Sequence, residues 1–461
     1  MTHIVVVGGG IAGLATAWSL REAGYPGQLT VLERDSRWGG KIRTEQVGPY
    51  LLEGGPESLL SHKPQGVQLA QKLGLEPRLI NTRAENNGVF IWSGGRLQTV
   101  PEGFTMMVPT EIMPLLRTGL LSWWGKLRMG LDLFIPPRTD TADESIGAFV
   151  RRRLGSECLE RIAEPMLAGI YAADADELSI HCTFPRFVDM ERQYGSLVLA
   201  ALAARRTPPP PSSRTAFVSF QNGLSELVDA LHAALRSRDV KLRCGVNVQA
   251  WTPDGVVLDG EKLAADVVVL AVPAFAAAAL LRGSDTALSD ALGELHYKSS
   301  ATVTLAWPED QVRRPLQGFG LVVPRRERRA VLACTWTSSK WGHRAPPGKA
   351  LIRAYIAGHT EVADEQLIEN VKAELTDIMD APTGPPDLQE LRRIEKGTPL
   401  YRVGHLDWVT RVERMATRHR GLFLTGSAYR GIGIPDCIRE GERTAGQVMA
   451  ALQQKLANRP R

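Results

Sequence analysis

Gly8, Gly10 and Gly13 form a G-x-G-x-x-G spacing between the apolar run His3-Ile4-Val5-Val6-Val7 and the helix-periodic run Leu14-Ala15-Thr16-Ala17-Trp18-Ser19-Leu20. In that setting Gly8 permits a tight turn, Gly10 lets the backbone approach a pyrophosphate, and Gly13 lets helix and strand pack closely. The helix start that follows favours negative charge. Glu33 stands 20 residues after Gly13, at the end of the next strand-like run, where a carboxylate can accept hydrogen bonds from a ribose diol. The acid disfavours a 2′-phosphate, so NADP does not fit this position. The spacing alone does not separate NAD from FAD. The rest of the chain offers no Ser-His-Asp set, no metal-ligand cluster and no obvious carboxylate pair. Of the nine histidines, His62, His181 and His405 could lie near a site, but each reads as structural or solvated. A bound cofactor would therefore carry the chemistry, with the protein orienting the substrate, and no residue is named as a general base.

The elements that would position these residues follow from pattern. Residues 3–7 are a short β-branched run of the kind buried on both faces of a sheet. The helix after Gly13 stops at Gly24, and Leu29-Thr30-Val31-Leu32-Glu33 is the next strand, so the opening is a complete βαβ unit. A hairpin is expected over 89–100, around Ser93-Gly94-Gly95. A helical region runs to about Arg205, and Pro208-Pro209-Pro210-Pro211-Ser212-Ser213 reads as a linker. The pattern then returns to α/β, with a helix over 224–236, a strand from Val240 to Trp251, a turn at Asp254-Gly255 and a buried strand over 265–273. Strand-like runs over 297–357 suggest a separate sheet. Gly421 to Gly426 with a helix from about Glu440 to Leu456 closes the chain. A nucleotide-type unit at the start and α/β segments later imply one discontinuous domain with another inserted.

At 461 residues the chain is long enough for two or three domains. Its 44% hydrophobic and 23% charged content is ordinary for a globular protein. The net charge of +5 is spread along the chain. That distribution does not argue for nucleic acid, but it suits an anionic substrate or loose contact with an anionic surface. Five cysteines, an odd number with no C-x-x-C, point away from disulfides and zinc and toward a reducing, cytoplasmic compartment. The Met1-Thr2-His3 start leaves no room for a signal peptide, and no apolar stretch is long enough to span a membrane. The Met-, Leu- and Trp-rich stretch over 104–137 reads as a packed helical core lining a substrate pocket. The alternative is membrane-surface contact through Trp123-Trp124 with Lys126 and Arg128.

Further motifs carry a resemblance. Glu33-Arg34 followed by Gly39-Gly40-Lys41 resembles the E-R-x-x-x-x-G-G-K/R run of FAD-dependent amine oxidases and desaturases. Glu53-Gly54-Gly55-Pro56-Glu57-Ser58 resembles the E-x-G-P-[DE]-S stretch of bacterial-type porphyrinogen oxidases. The run Glu164 to Tyr171 with Leu178-Ser179, the turn Phe220-Gln221-Asn222-Gly223-Leu224, and the loop Tyr429 to Ile438 are similar to elements of the same family, in consistent order. Ala173 stands where that family has glycine, Ile394 where relatives have tryptophan, and Glu57 where the mitochondrial type has arginine.

The resemblance implies an α/β plus α+β architecture. A discontinuous Rossmann-type FAD-binding domain would take 1–80, 215–285 and 415–461, a mixed-sheet substrate domain 81–105 and 286–414, and a helical domain 106–214. It implies non-covalent FAD, with Cys437 a buried free thiol rather than a flavin attachment point. By position, the FAD contacts would be Gly8, Gly9, Gly10, Ile11, Ala12, Gly13, Glu33, Arg34, Gly40, Lys41, Gly55, Pro56, Glu57, Ser58, Val248 (Val246 in the alternative register), Gly426, Ile432, Gly433 and Ile434. It implies six-electron oxidation of a porphyrinogen by O2, through three transfers to flavin N5, with handover to a ferrochelatase. Coproporphyrinogen III, with four propionates, is favoured over protoporphyrinogen IX. Cationic partners for the propionates would come from Lys63, Arg96, Arg186 and Lys298, with Lys63 the best single candidate. An amine oxidase or desaturase on the same fold, or a flavin- or haem-binding module without turnover, are the rival readings.

Overall fold

A computed structural model describes residues 2–86, 88–100, 104–105, 108–109, 112–171, 173–206, 213–314, 316–357 and 361–457. Ala172 of the Glu164–Ser179 motif and most of the proline-rich run, residues 208–212, lie outside them. The chain divides into two compact units, one of residues 1–81, 214–296 and 406–461, the other of 82–213 and 297–405.

The first unit is built on a five-stranded parallel sheet. β1 (His3–Val7) pairs with β2 (Gln28–Leu32) on one side, in the register Ile4 to Leu29 and Val7 to Leu32. On its other side β1 pairs with Val267–Leu270, which in turn pairs with Leu422–Leu424. Lys241–Arg243 completes the far edge beside β2. Three of the five strands thus come from segments more than 200 residues after the first, which is why this unit is discontinuous. Between β1 and β2 lies α1 (Ile11–Glu22), nearly all of it buried because sheet and helices enclose it. The closing helix, Ile434–Ala457, packs along α1, and a Cβ on Gly441 would come within 2.8 Å of the Ala12 carbonyl oxygen. Leu14, Leu29, Val31, Phe220, Leu227, Leu231, Val269 and Ile438 fill the core between them.

Two expectations need correction. The strand from Val240 to Trp251 is broken. It ends at Arg243, and Gly245 turns the chain at φ 70°. The Gly245 and Val246 N–H groups then donate to the carbonyls of Asp35 and Glu33, both at 2.9 Å. Pairing resumes at Ala250–Thr252 in a separate three-stranded sheet. The last helix begins at Ile434, not Glu440, because Pro435 fits the first helical turn, where its missing N–H is no loss.

The second unit holds a seven-stranded sheet in the order Leu388–Pro399, Tyr297–Pro308, Lys349–Ala357, Val331–Trp336, Gly320–Val322, Val89–Ser93, Arg96–Thr99. Every pairing is antiparallel except that of Gly320–Val322 with Val89–Ser93. The hairpin at Gly94-Gly95 closes with both glycines at positive φ, as a two-residue turn between twisted strands requires. Alternation along the strands sends Val303, Leu305, Ile352, Ala354 and Ile356 to one face, under the helix Asp364–Met379. The opposite face presents Ile91, Val322, Ala333 and Tyr355 to Phe149, Ile162 and Leu167 of the helical segment. The helices of 112–206 and the seven-stranded sheet therefore share one core within one unit.

Candidate cofactor site and cationic side chains

Within the first unit, the glycines of 8–13 shape the start of α1 and those of 39–40 fold against it. Gly8 has φ 111°, and a Cβ there would strike the Ala271 carbonyl. A Cβ on Gly13 would collide with the Gly8 carbonyl oxygen, and one on Gly9 with the Trp38 ring. Gly10 is different. Its φ of −72° suits any residue, and a Cβ there meets no protein atom within 4 Å. Packing within the chain explains the glycines at 8, 9 and 13 but not the one at 10. The helix behind it has no side-chain cap and no acid in its first turn, so the N–H groups of Ile11, Ala12 and Gly13 are presented to an anion.

Gly39 and Gly40, with φ 99° and 57°, fold a turn against this helix start. Gly39 donates to the Gly9 carbonyl at 2.9 Å, and Gly40 packs onto Gly10. Arg37, a residue the motif spacing did not single out, holds this turn by donating to the carbonyls of Trp38, Gly40 and Ile42. Gly55 in turn abuts the Lys41 backbone so closely that a Cβ would overlap the Lys41 carbonyl. Beyond it, the Glu57 carbonyl accepts from Ser219 Oγ at 3.2 Å. Lys41 neighbours the Cys437 thiol, and desolvation by the surrounding protein lowers its ammonium pKa although its side chain reaches solvent. Cys437 sits in the first turn of the last helix. Burial pushes its thiol up to about 12, so it is a neutral side chain. Ile432, Gly433 and Ile434 form the entry to that helix. The Glu53–Ser58 and Gly431–Cys437 segments thus both border Lys41.

Glu33 is part of the same cradle. Its carboxylate accepts from the Gly9 N–H at 2.6 Å and from the Asp35 N–H at 2.8 Å. A carboxylate has about four acceptor sites, so both oxygens can still receive a diol. Arg34 has a largely exposed side chain 3.7 Å from Asp35. Val248 lies on the segment running past Glu33. The alternative residue, Val246, has its N–H engaged by the Glu33 carbonyl. Gly426, at φ 118°, ends the strand Leu422–Leu424 in a conformation that side chains disfavour.

The loop between Gly426 and Ile434 is braced by charge. Arg430 donates to Glu413 at 2.5 and 2.6 Å and to Glu440 at 3.2 Å, while Arg443 binds Glu413 and Glu440 at 2.9 and 2.6 Å. Desolvation pushes the Glu413 carboxyl up, but Arg430 and Arg443 outweigh it and hold the group below the usual carboxylate range. This network was missed because its members are spread from 413 to 443 with no motif.

The expected substrate cations are divided between the two units. Lys63 is paired with Asp436 at 2.6 Å, and Arg439 holds the other oxygen of Asp436 at 2.9 Å. Lys63, the best propionate candidate by position, is thus tethered to the Pro435-Asp436 turn. Arg96, Arg186 and Lys298 are exposed at scattered places in the second unit. His405 is buried and stacked on Tyr401 at 4.0 Å, His62 is exposed and His181 half-buried. The core reading of 104–137 also fails for its tryptophans. Trp123 is 71% and Trp124 80% exposed, as is Phe134 at 80%, because Gly125 and Met129 supply the buried face of that helix.

The flavin containing amine oxidoreductase model matches residues 11–449. The coproporphyrinogen III oxidase of Bacillus subtilis is 36% identical over 98% of this chain and 98% of its own. The chloroplastic protoporphyrinogen oxidase 1 of Arabidopsis thaliana is 31% identical over 97% of this chain and 88% of its own. A solved Exiguobacterium protein, provisionally assigned as a protoporphyrinogen oxidase, superimposes with a TM-score of 0.86 at 32% identity, over 98% of this chain and 99% of its own.

Proposed function

We propose, from the premise that this chain belongs to the flavin containing amine oxidoreductases, that it is an FAD-dependent porphyrinogen oxidase of haem biosynthesis acting on coproporphyrinogen III. The observation that carries this reading is end-to-end identity of 36% with a bacterial coproporphyrinogen III oxidase, joined to a cradle whose Gly10 has no reason within the chain to be glycine.

The discontinuous segments 1–80, 215–285 and 415–461 hold the cofactor, while 81–105 and 286–414, with the helices of 106–214, serve the substrate. The N–H groups of Gly10 to Gly13 bind the FAD pyrophosphate, and Glu33 accepts from the ribose. Val248 approaches the adenine through its backbone. Lys41, Gly55 to Ser58 and Ile432 to Ile434 line the flavin end, with Gly426 behind them. Binding is non-covalent, since the neighbouring Cys437 is a neutral, buried thiol. The Arg430–Glu413–Glu440–Arg443 network and the Lys63–Asp436 pair orient the 426–437 loop. When bound, FAD supplies a two-electron acceptor that works three times per porphyrinogen, with O2 taking the electrons and leaving as hydrogen peroxide. The product passes to a ferrochelatase, and the enzyme works in the cytoplasm.

Contact with a membrane is peripheral at most, as no described helix is long and apolar enough to cross one. The exposed Trp123, Trp124, Leu127 and Phe134 would make that contact. Between residues 112 and 135 the only acid, Asp132, is buried against Arg153, while Arg117, Lys126 and Arg128 are basic. That charge pattern suits an anionic lipid surface.

The deciding experiment is an aerobic assay of the purified flavoprotein with each porphyrinogen separately. Faster porphyrin emission from coproporphyrinogen III is expected. Preference for protoporphyrinogen IX moves the enzyme to the two-propionate substrate, and flavin release without turnover of either overturns the porphyrinogen reading.

A further inference from the structure

Arg353 lies in the middle of the seven-stranded sheet and is only 4% exposed. Its strand, Lys349–Ala357, is flanked on both sides, so that Arg353 stands opposite Thr304 on one neighbour and Thr335 on the other. Alternation puts its side chain on the face that carries Tyr355, Ala333 and Val322, opposite the apolar core of Ile352, Ala354 and Ile356. The guanidinium sits 5.0 Å from the Tyr355 ring. Its Nε and Nη1 are buried and have no hydrogen-bond partner. No described carboxylate forms an ion pair with it, whereas Arg153, also deeply buried in this unit, has Asp132 at 2.5 Å.

A guanidinium does not lose its charge in a protein, and a buried charge without a counter-ion is strongly unfavourable. The ring face offsets only part of that cost. Thr304 is buried and stands directly across from Arg353, and buried Thr302 stands across from Tyr355. Two hydroxyl-bearing positions therefore share this face of the sheet with the unpartnered Nε and Nη1. A carboxylate accepts a strong, charge-assisted hydrogen bond from a guanidinium N–H. We infer that Arg353, with Thr304 beside it, is a carboxylate-binding subsite that receives one propionate of the porphyrinogen. The assignment of the carboxylate to a porphyrinogen rests on the function proposed above. Arg353 carries none of the features that marked Lys63, Arg96, Arg186 or Lys298 as candidates, because only the sheet register shows that it is buried and unpaired.

The test compares the FAD-loaded wild type with Arg353→Met and Arg353→Lys. Loss of charge-assisted hydrogen bonds predicts that Arg353→Met raises the KM for coproporphyrinogen III by about 10- to 100-fold with a smaller change in kcat. Arg353→Lys should recover part of that loss. The ligand-free Arg353→Met protein should also melt at a higher temperature than wild type, since a buried unpaired charge is removed. Binding of the tetracarboxylate coproporphyrin III, followed by its emission, should weaken in the same order. Wild-type affinity for coproporphyrin III in Arg353→Met, or a lower melting temperature with unchanged KM, overturns the subsite and leaves a structural arginine. Absence of wild-type turnover on any porphyrinogen overturns the proposed function instead, and the coproporphyrin III titration still decides the subsite.

Discussion

The glycine triad shows that one residue type can serve two separable purposes. Gly13 is glycine because the Gly8 carbonyl occupies the place of its side chain, whereas a Cβ on Gly10 would meet no protein atom within 4 Å. The two should therefore fail differently. Gly13→Ala forces helix and turn apart, an overpacking cost of about 1–3 kcal/mol, read as a lower melting temperature of the apoprotein. Gly10→Ala should leave apoprotein stability within about 0.5 kcal/mol of wild type and show its effect in the fraction of FAD retained after dialysis. Equal destabilisation by both would mean that Gly10 also answers to internal packing. The spacing made all three glycines visible in the sequence. It could not say which of them the chain itself requires, since that depends on atoms of Ala271, Trp38 and Gly8 brought near by folding.

At the scale of elements, the 426–437 loop depends on charges far from it in sequence. Glu413 comes from the helix His405–Ala416, and Glu440 and Arg443 from the last helix. Because the folded pKa of Glu413 is depressed, its contribution to stability is present above the unfolded carboxylate value of about 4.3. It is lost as pH falls through the lower folded value. Melting temperature should accordingly drop more steeply with acidification below about pH 4.5 in wild type than in Glu413→Gln. Parallel curves for the two proteins would exclude Glu413 from the brace. Gly431 belongs to the same loop at φ 135°, where an added Cβ would collide with Asp436, so the loop geometry is fixed by backbone as well as by charge.

At the scale of the molecule, the second unit inverts ordinary polarity at one place. Asp132 is fully buried with Arg153, while its neighbours Leu131, Leu133 and Phe134 face solvent. Ser196 Oγ and the Val198 N–H both donate to Asp132 Oδ2, so the outward residues are held by an internal anchor. Apolar side chains kept at the surface beside basic ones should bind vesicles containing phosphatidylglycerol, and less well as salt is raised. Trp123→Ser with Trp124→Ser should lower the sedimented fraction several-fold without altering flavin content. Equal sedimentation with neutral phosphatidylcholine vesicles would remove the electrostatic part, and a concentration-dependent dimer that hides the tryptophans would assign the patch to a second copy of the chain.

The local signals in the sequence were sufficient for the opening βαβ unit, for the family and for the flavin. Short-range rules govern a glycine turn, a β-branched strand and an acid at a strand end, and the matching motifs recur in order along the chain. The broken strand after Arg243 was not legible, because what ends it is the bonding of Gly245 and Val246 to Asp35 and Glu33, two hundred residues away. The same holds for the cations. Lys63 looked available by position and is tied to Asp436, while Arg353 looked like one more strand residue and is buried with Nε and Nη1 lacking a hydrogen-bond partner. Sequence determined which kinds of group the chain possesses. Only the tertiary structure decided which of them are neutralised, because the free energy of a charge depends on its burial and on its neighbours in space.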